Sequence, residues 1–243
     1  MKIRADQLLV KKELVPSRHQ AQLLIMAGRV FSPAGRIEKS GDLLDEEITL
    51  RVEDGKKFVS RGGEKLDHAL QELKISVEGK VCLDVGSSTG GFSDCLLQRG
   101  AKKIYAVDVG YGQFHWTLRQ KENIVVMERT NFRYLEKDKI SEKIDLCVAD
   151  VSFISLTKLL PRFLLFTKAG SDVLVMVKPQ FELSPVEVKK GVVRSPALRE
   201  KAVKKVAEEA KKLGYKILKS TPSPILGPKG NQEIFLHLLV SKK

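Results

Sequence analysis

The stretch that decides the fold is Val81-Cys82-Leu83-Asp84-Val85-Gly86-Ser87-Ser88-Thr89-Gly90-Gly91-Phe92-Ser93. It begins as a short apolar run with one carboxylate, breaks at a glycine-rich turn, and continues into a helical pattern. This order predicts a strand, a turn and a helix of an α/β sheet. Glycines permit positive φ and close approach of the backbone to a ligand. Because such sheets bind ligands beyond the carboxyl ends of their strands, the turn predicts a site for the adenosyl part of a cofactor.

The composition describes a folded protein with a strong positive charge. The chain has 243 residues, 42% of them hydrophobic, which is enough for one large domain and one small one. Its net charge is +13. A charge of this size predicts a polyanionic partner, with nucleic acid ahead of an anionic membrane surface. A basic surface without such a partner is the alternative.

The cysteines and histidines form no pattern typical of a disulfide framework or a metal site. The three cysteines have no CxxC spacing, and the four histidines form no HExxH motif. We therefore expect free cysteines, a reducing compartment and no metal. Charged residues interrupt the amino-terminal apolar residues, and the longest apolar runs are shorter than the ~20 residues that span a bilayer. The sequence predicts a cytoplasmic protein without stable membrane association.

Residues 1–58 are predicted to form a separate small module of helices and strands. Helices are expected over 5–12 and 18–27, the second with Ser17 as its N-cap and Gly28 as its end. Short strands are expected around 29–31 and 48–52. Residues 1–36 carry seven basic side chains against two acidic ones, so the positive charge is concentrated in the helical part.

Several positions of this module match a known RNA-binding fold in the same order. They are Arg4, Asp6, Leu9, Ser17, Arg18, Ala21, Leu24, Ile25, Gly28 and Val30. The module therefore resembles an S4 RNA-binding domain. The resemblance implies that RNA phosphates are contacted by Arg4, Lys11, Lys12, Arg18 and Arg29. The Asn of that family's Val-x-Val-Asn-Gly hairpin is absent, since residues 30–35 read Val-Phe-Ser-Pro-Ala-Gly.

The remaining chain alternates strand and helix patterns, as a doubly wound sheet requires. Residues 59–64, with the pair Gly62-Gly63, are expected to be a linker, and 65–243 a second domain. Strands are expected at 81–85, 104–108, 124–127, 146–149, 173–177, 217–219 and 234–240, and helices at 92–99, 114–120, 156–165 and 196–213. Too little chain separates the last two strands for a crossover helix, so this pair should be antiparallel. A mostly parallel, seven-stranded sheet with an antiparallel last strand is typical of class I (Rossmann-like) methyltransferases.

The glycine turn favours S-adenosylmethionine over other cofactors. Its spacing does not fit the G-x-G-x-x-G motif of dinucleotide folds, and it lacks the Lys-Ser/Thr pair of a P-loop. Asp84 could reach the cationic methionine end, and Asp108, at the end of the next strand, could accept both ribose hydroxyls. Asn131 and Phe132 could border the adenine. The candidate cofactor-binding residues are Asp84, Gly86, Ser87, Ser88, Thr89, Gly90, Gly91, Phe92, Asp108, Asn131, Phe132 and Asp150.

Four charged residues are expected to converge above the methyl donor. Asp150 and Lys178 end neighbouring strands, Glu233 opens the last strand, and Lys65 lies on the helix that leads into the domain. Methylation of a ribose 2′-hydroxyl needs loss of a proton and stabilisation of an alkoxide. Lys178, crowded by Lys65 and removed from water, could act as the base, or it could only stabilise the alkoxide. Four ordinary charges at the ends of the sheet are the alternative.

These residues and the motifs around them carry a second resemblance. The matching segments are 60–66, 86–92, 110–113, 116–119, 150–155 and 178–182. The catalytic part resembles the FtsJ-like ribose 2′-O-methyltransferases, whose Lys-Asp-Lys-Glu tetrad matches Lys65, Asp150, Lys178 and Glu233. Together with the S4-like module, the chain resembles the TlyA/hemolysin A family. That resemblance implies methylation of a cytidine ribose in ribosomal RNA, within a ribosomal subunit.

Two other functions compete with this interpretation. The family name suggests a membrane-active hemolysin, which would need a spanning or strongly amphipathic segment. The third hypothesis is an RNA-binding module with an inactive methyltransferase fold, against which the intact tetrad and glycine loop argue. Residues 181–194 have no clear periodicity and are expected to be either a mobile substrate flap or a disordered insert.

Overall fold

The computed structural model describes residues 2–53 and 57–241. The chain divides into two compact units, Met1–Lys57 and Phe58–Lys243. We call them the amino-terminal unit and the sheet unit. No helix of the described residues combines the length and the apolar character needed to cross a membrane.

The amino-terminal unit packs two helices against short antiparallel strands. Its elements are β1 (Lys2–Arg4), α1 (Ala5–Lys11), α2 (Arg18–Met26), β2 (Val30–Ser32), β3 (Gly35–Arg36), β4 (Leu43–Asp45) and β5 (Arg51–Val52). Strand β1 pairs with β4, and β2 pairs with β3 and β5. The core contains Leu8, Leu9, Ala21, Ile25 and Val30. Both predicted helices are confirmed to within one residue.

Local capping explains where α2 begins and ends. The Ser17 side chain accepts a hydrogen bond of 3.3 Å from the Gln20 N–H, as an N-cap does. Gly28 follows the helix with φ +67°, a conformation that favours glycine. Both residues act as the sequence predicts.

The sheet unit alternates strands and helices. Its strands are β6 (Val81–Val85), β7 (Lys103–Val107), β8 (Ile124–Met127), β9 (Ile144–Ala149), β10 (Thr167–Val177), β11 (Tyr215–Pro222) and β12 (Ile234–Val240). Its helices are α3 (Arg61–Glu72), α4 (Gly91–Gln98), α5 (Trp116–Arg119), α6 (Leu160–Phe166), α7 (Pro179–Glu182) and α8 (Pro196–Lys212). The helix predicted over 156–165 is split into a 3-10 turn, Leu156–Lys158, and α6, which has a proline in its first turn.

The seven strands form one sheet in the order β11-β12-β10-β9-β6-β7-β8. Strand β12 is antiparallel to both of its neighbours, whereas β6, β7, β8, β9 and β10 are parallel where they pair. The fold class and the antiparallel last strand are therefore confirmed. The carboxyl ends of β6, β7, β9 and β10 share one edge, where β12 begins, because Val177 lies opposite Ile234.

The core lies on both faces of this sheet. In β10, Val173, Val175 and Val177 belong to one apolar cluster, while Leu174 and Met176 belong to the other. Side chains alternate between the faces of a strand, so a strand covered on both sides reads as a continuous apolar run. This burial leaves the carboxyl edge as the polar part of the central strands.

The prediction of a linker over 59–64 is wrong from residue 61 onward. Gly62 and Gly63 lie within α3 rather than breaking it. A Cβ at Gly91, the first residue of α4, would lie 3.0 Å from the Gly63 nitrogen and 3.3 Å from the Gly62 Cα. The glycines permit this close crossing of the two helices, and the crossing places Lys65 beside the glycine turn.

Residues 181–194 are held by specific contacts, so the interpretation as a disordered insert is wrong. The Asn231 amide donates to the Gly191 carbonyl at 2.9 Å, and its oxygen accepts from the Val193 N–H at 2.9 Å. Glu187 forms an ion pair with Lys201 of α8 at 2.6 Å. These contacts fix the segment to the sheet unit.

Candidate functional site

Two cavities lie at the carboxyl edge of the sheet and share Gly86, Ser88 and Asp150. The larger has a volume of about 540 Å³, and its walls include Val107, Asp108, Val109, Asn131, Phe132, Ser152, Phe153 and Ile154. The smaller has a volume of about 340 Å³, and its walls include Ser60, Arg61, Lys65, Ser87, Thr89, Gly91, Phe92, Lys178 and Glu233. One elongated ligand could therefore extend from the first cavity into the second.

The glycine turn separates these cavities and has the backbone conformation that the sequence predicts. Gly86 has φ +83°, and a Cβ there would lie 2.4 Å from the Asp150 carbonyl oxygen. Gly90 has φ +91°, and its Cβ would lie 2.7 Å from Leu118 Cδ1. Gly86 thus lets β6 and β9 end close together, whereas Gly90 packs against α5 and lines neither cavity.

Asp108 lies at the end of β7 and lines the larger cavity. Its Oδ2 accepts from the Ser88 N–H at 2.8 Å, and its Oδ1 accepts from the Gly110 N–H at 2.7 Å. A carboxylate oxygen has more than one lone pair, so both oxygens can accept a further hydrogen bond. These two backbone contacts hold the carboxylate in one orientation at the wall of the larger cavity.

Asp84 lies within β6, as the sequence predicts. It is fully buried in β6 and lines neither cavity. The Ser93 hydroxyl donates to its Oδ2 at 2.7 Å, while its Oδ1 has no hydrogen-bond partner among the described residues. Burial raises the pKa of Asp84 to about 7, and the nearby charge of Asp150 adds to the rise. The carboxylate contacts Ser93 of α4 and lines neither cavity, and its contact with the methionine end of the cofactor stays a prediction.

Asn131 and Phe132 border the larger cavity, as predicted for the adenine end. The Asn131 side chain accepts from the Arg133 N–H at 3.1 Å and caps the short 3-10 turn Phe132–Tyr134. The Phe132 ring packs against Phe163 with 4.9 Å between ring centroids. The wall on this side therefore combines a packed aromatic ring with polar side chains.

The four tetrad residues line the smaller cavity as two ion pairs. Lys178 Nζ lies 2.6 Å from Asp150 Oδ1, and Lys65 Nζ lies 2.6 Å from Glu233 Oε2. Both lysines are 8% exposed, and Glu233 is fully buried. A buried charge is costly unless an opposite charge pairs with it. The burial and pairing of these groups therefore do not fit the alternative of four ordinary charges at the ends of the sheet. Each of the two lysine amines pairs with a carboxylate of its own.

Sequence reasoning gave no role to three residues beside the tetrad. Ser152 accepts a hydrogen bond of 2.9 Å from Lys178 Nζ. Phe153 is 90% exposed, has φ +64°, and lies 5.1 Å from the Phe181 ring. Glu182 is buried and contacts the same loop. All three lie within the segments that carry the family resemblance, but only the fold brings the two segments together.

Most of the basic side chains predicted to contact RNA have partners within the amino-terminal unit. Arg4 forms two hydrogen bonds of 3.0 Å with Asp6, and Arg18 contacts the same carboxylate at 3.2 Å. The Arg4 guanidinium holds the pKa of Asp6, which is fully buried, well below its usual range. Lys11 pairs with Glu46, and Arg29 donates to the Glu53 carbonyl. The Lys12 side chain is half-buried.

Comparisons with known proteins agree with this geometry. Residues 58–239 match the FtsJ-like methyltransferase family. The 16S/23S rRNA (cytidine-2′-O)-methyltransferase TlyA of Mycobacterium tuberculosis is 43% identical over 238 residues, which cover 97% of this chain and 89% of TlyA. A solved structure from Streptococcus thermophilus, named as a hemolysin, has a TM-score of 0.76 and 39% identity, covering 99% of this chain and 89% of that one.

The relatives carry two kinds of name. Hemolysin A of Brachyspira hyodysenteriae is 38% identical over 98% of this chain and 100% of its own length. No feature of the described residues favours the membrane-active alternative, whereas the cavities and the tetrad fit methyl transfer. The family confirms the prediction of S-adenosylmethionine as the methyl donor. The chain belongs to the FtsJ-like methyltransferase family.

Proposed function

We propose that this protein transfers a methyl group from S-adenosylmethionine to the ribose 2′-hydroxyl of a cytidine in ribosomal RNA. The observation that carries the proposal is the tetrad. Its two lysine–carboxylate pairs, in which both lysines and Glu233 are buried, line the smaller cavity next to the larger one. The inactive-fold hypothesis requires a broken or unpaired set of these groups, and both pairs are intact.

The residues around the cavities fit the cofactor. Asp108 offers two fixed acceptor oxygens for the ribose, and Asn131 and Phe132 border the same cavity, where the adenine would lie. Gly86 lines both cavities, and a Cβ there would collide with the Asp150 carbonyl. When bound, S-adenosylmethionine supplies an electrophilic methyl group. Ser87, Thr89 and Gly91 would hold its methionine end in the smaller cavity.

The partners of Lys178 favour alkoxide stabilisation over proton abstraction by this residue. A lysine ammonium has three N–H donors and no acceptor. Here Lys178 donates one hydrogen bond to Ser152, and its ammonium forms an ion pair with Asp150 at 2.6 Å. A further N–H of the ammonium is left for the oxygen of the substrate hydroxyl, whose negative charge develops during the reaction.

The carboxylates complete the site. Asp150 and Glu233 fix the two amines, and they are the acidic side chains that line the smaller cavity together with them. The hydroxyl proton must pass to an acceptor, and a carboxylate in this cavity can accept it directly or through water. Glu233 Oε1 has no hydrogen-bond partner among the described residues, whereas Oε2 of the same carboxylate accepts from Lys65.

The RNA substrate is inferred from charge, from an exposed aromatic ring and from the relatives. The net charge of +13 favours binding to a polyanion. Phe153 exposes its ring at the wall of the larger cavity, where an unpaired base could stack on it. The amino-terminal unit, as an S4-like RNA-binding domain over residues 1–58, would dock on the RNA of a ribosomal subunit through Arg4, Lys11, Lys12, Arg18 and Arg29. We place the reaction in the cytoplasm, where that substrate is found.

The proposal is tested by transfer of a labelled methyl group to isolated 30S subunits, 50S subunits and naked ribosomal RNA. We expect wild-type protein to label at least one of them, and Lys178→Ala to lose transfer while still binding S-adenosylmethionine in calorimetry. Lys168→Ala is the matched control, because Lys168 also pairs with a carboxylate at 2.6 Å but lies at the start of β10. Retained transfer by Lys178→Ala would refute the assignment of the tetrad.

A further inference from the structure

The loop from Asp150 to Leu156 carries much of the site and has no regular structure before its final 3-10 turn. Its first residue is anchored, because the Asp150 N–H donates to the Val85 carbonyl at 3.0 Å. Its middle contains Ser152, which contacts Lys178, and Phe153, whose φ of +64° is a strained conformation for an aromatic residue. Such a loop needs a second anchor to keep this geometry.

Glu182 provides that anchor. It lies at the end of α7, the short helix that follows Lys178, and is 3% exposed. Its Oε2 accepts from the Ser155 hydroxyl at 2.6 Å, and its Oε1 accepts from the Leu156 N–H at 2.7 Å. Both oxygens of one buried carboxylate are thus directed at the far end of the loop.

The surroundings show that Glu182 is built into the fold for these contacts. Burial raises the pKa of Glu182, and the hydrogen bonds from Ser155 and Leu156 oppose that rise. Lys205 of α8 donates to the Glu182 carbonyl at 2.5 Å and lies 3.8 Å from its carboxylate. A buried carboxylate is costly without such partners. Glu182 lines neither of the two site cavities, so it cannot touch the substrate there.

Helix α7 and the loop therefore meet at successive points. Lys178 bonds to Ser152, the Phe181 ring lies 5.1 Å from Phe153, and Glu182 bonds to Ser155. The pairing of β9 with β10 holds one end of the loop next to α7, and the hydrogen bonds of Glu182 hold the other end.

We propose that Glu182 is a positioning residue, which holds the Asp150–Leu156 loop so that Ser152 and Phe153 keep their places beside Lys178. The expected fall in kcat rests on the proposed methyl transfer, whereas the expected loosening of the loop does not depend on it. A reacting group displaced by about 1 Å can lose up to ~100-fold in rate. Loss of the anchor should therefore lower kcat more than it changes binding of the methyl donor.

The experiment compares Glu182→Ala, Glu182→Gln and the control Glu187→Ala in full-length protein. Glu187 lies in the following segment and pairs with Lys201 and Ser184, away from the loop. Methyl transfer gives kcat and KM, calorimetry gives the affinity for S-adenosylmethionine, and hydrogen exchange with mass spectrometry follows the backbone amides of residues 151–157. The Leu156 amide is the direct reporter, since Glu182 accepts its hydrogen bond.

We expect Glu182→Ala to lower kcat by about tenfold or more, with donor affinity within about twofold of wild type and faster exchange at Leu156. Glu182→Gln should keep most of the activity, because the amide oxygen can accept from Leu156 while the amide nitrogen donates to Ser155. Glu187→Ala should behave as wild type. If Glu182→Ala fails to fold, Ser155→Ala removes one of the two contacts and should lower kcat several-fold.

Wild-type kcat in Glu182→Ala, or unchanged exchange of the loop, would overturn the inference. So would an equal loss of kcat and donor affinity, which would indicate general damage to the sheet unit. If wild-type protein transfers no methyl group while Glu182→Ala still accelerates exchange at Leu156, the proposed function fails and the positioning role stands.

Discussion

Asp84 is a fully buried carboxyl group, and its replacement by asparagine gives a quantitative prediction. Asparagine has nearly the same shape, and its oxygen can still accept the hydrogen bond from Ser93. The change removes a group that titrates and leaves the packing of β6 in place. The difference in stability between the two proteins should therefore depend on pH.

The sign follows from the raised pKa of Asp84. The folded value is about 7 and the usual value is 3.8, so between these pH values the folded state keeps a proton that the unfolded chain has lost. Stability of the wild type then falls as pH rises through this interval, and the loss is complete above pH 7. At about 1.4 kcal/mol for each pH unit, the interval corresponds to a loss of about 4 kcal/mol.

The assay is urea unfolding of wild type and Asp84→Asn from pH 4 to pH 8, followed by the fluorescence of Trp116, the single tryptophan of the chain. Trp116 lies in the sheet unit and reports on its unfolding. We expect Asp84→Asn to gain stability over the wild type progressively from pH 4 to pH 7, by up to about 4 kcal/mol. If burial of the asparagine amide lowers the free energy of unfolding, it does so equally at all pH values and leaves the pH dependence of the difference between the two proteins unchanged. A difference independent of pH would refute the burial of a titrating Asp84 in β6.

Three other changes test separate parts of the structure. Gly86→Ala should destabilise the sheet unit by about 3 kcal/mol in urea unfolding and abolish methyl transfer, because its Cβ would meet the Asp150 carbonyl. Gly170 also has a positive φ, of +82°, but has open space around it, so the control Gly170→Ala should lose only about 1 kcal/mol. Phe153→Ala should leave the unfolding free energy nearly unchanged, since the ring is exposed and alanine keeps the Cβ at this positive φ, and should lower kcat/KM for RNA by about 10- to 100-fold. Asp6→Ala should destabilise the amino-terminal unit by about 2 kcal/mol, measured by hydrogen exchange in α1 and α2, and should weaken RNA binding, measured by filter binding. Unchanged exchange would contradict the anchoring of Arg4 and Arg18 by Asp6.

The strand pattern explains why so much of the sheet unit could be predicted from the sequence. Apolar runs such as Val173–Val177 are continuous because both faces of the sheet are covered, and the turn at Gly86 marks the edge where ligands bind. Residues at the strand ends, such as Asp150 and Lys178, must then share that edge. The tetrad followed from these positions together with the family resemblance.

Contacts between distant segments could not be predicted in this way. Gly62 and Gly63 are poor helix formers in isolation, but both lie in α3. A Cβ at Gly63 would collide with Phe58, and a Cβ at Gly91 of α4 would lie 3.0 Å from the Gly63 nitrogen, so the packing at this point has no room for side chains. Asp84 is predicted to reach the cationic methionine end of the cofactor, whereas its hydrogen bond with Ser93 of α4 joins two segments that the sequence does not show to be in contact. The division of the tetrad into two ion pairs likewise depends on side-chain placement that no spacing in the sequence specifies.

The central claim is tested most directly by the chemical position of the methyl group. Ribosomal RNA labelled by the wild-type protein would be hydrolysed in alkali, which cleaves the chain only where a free 2′-hydroxyl is present. Ribose methylation predicts that the label is recovered in an alkali-stable dinucleotide, and that nuclease digestion and mass spectrometry identify 2′-O-methylcytidine. Label recovered in mononucleotides, as base methylation would give, or no label in any ribosomal RNA, would contradict the proposed function.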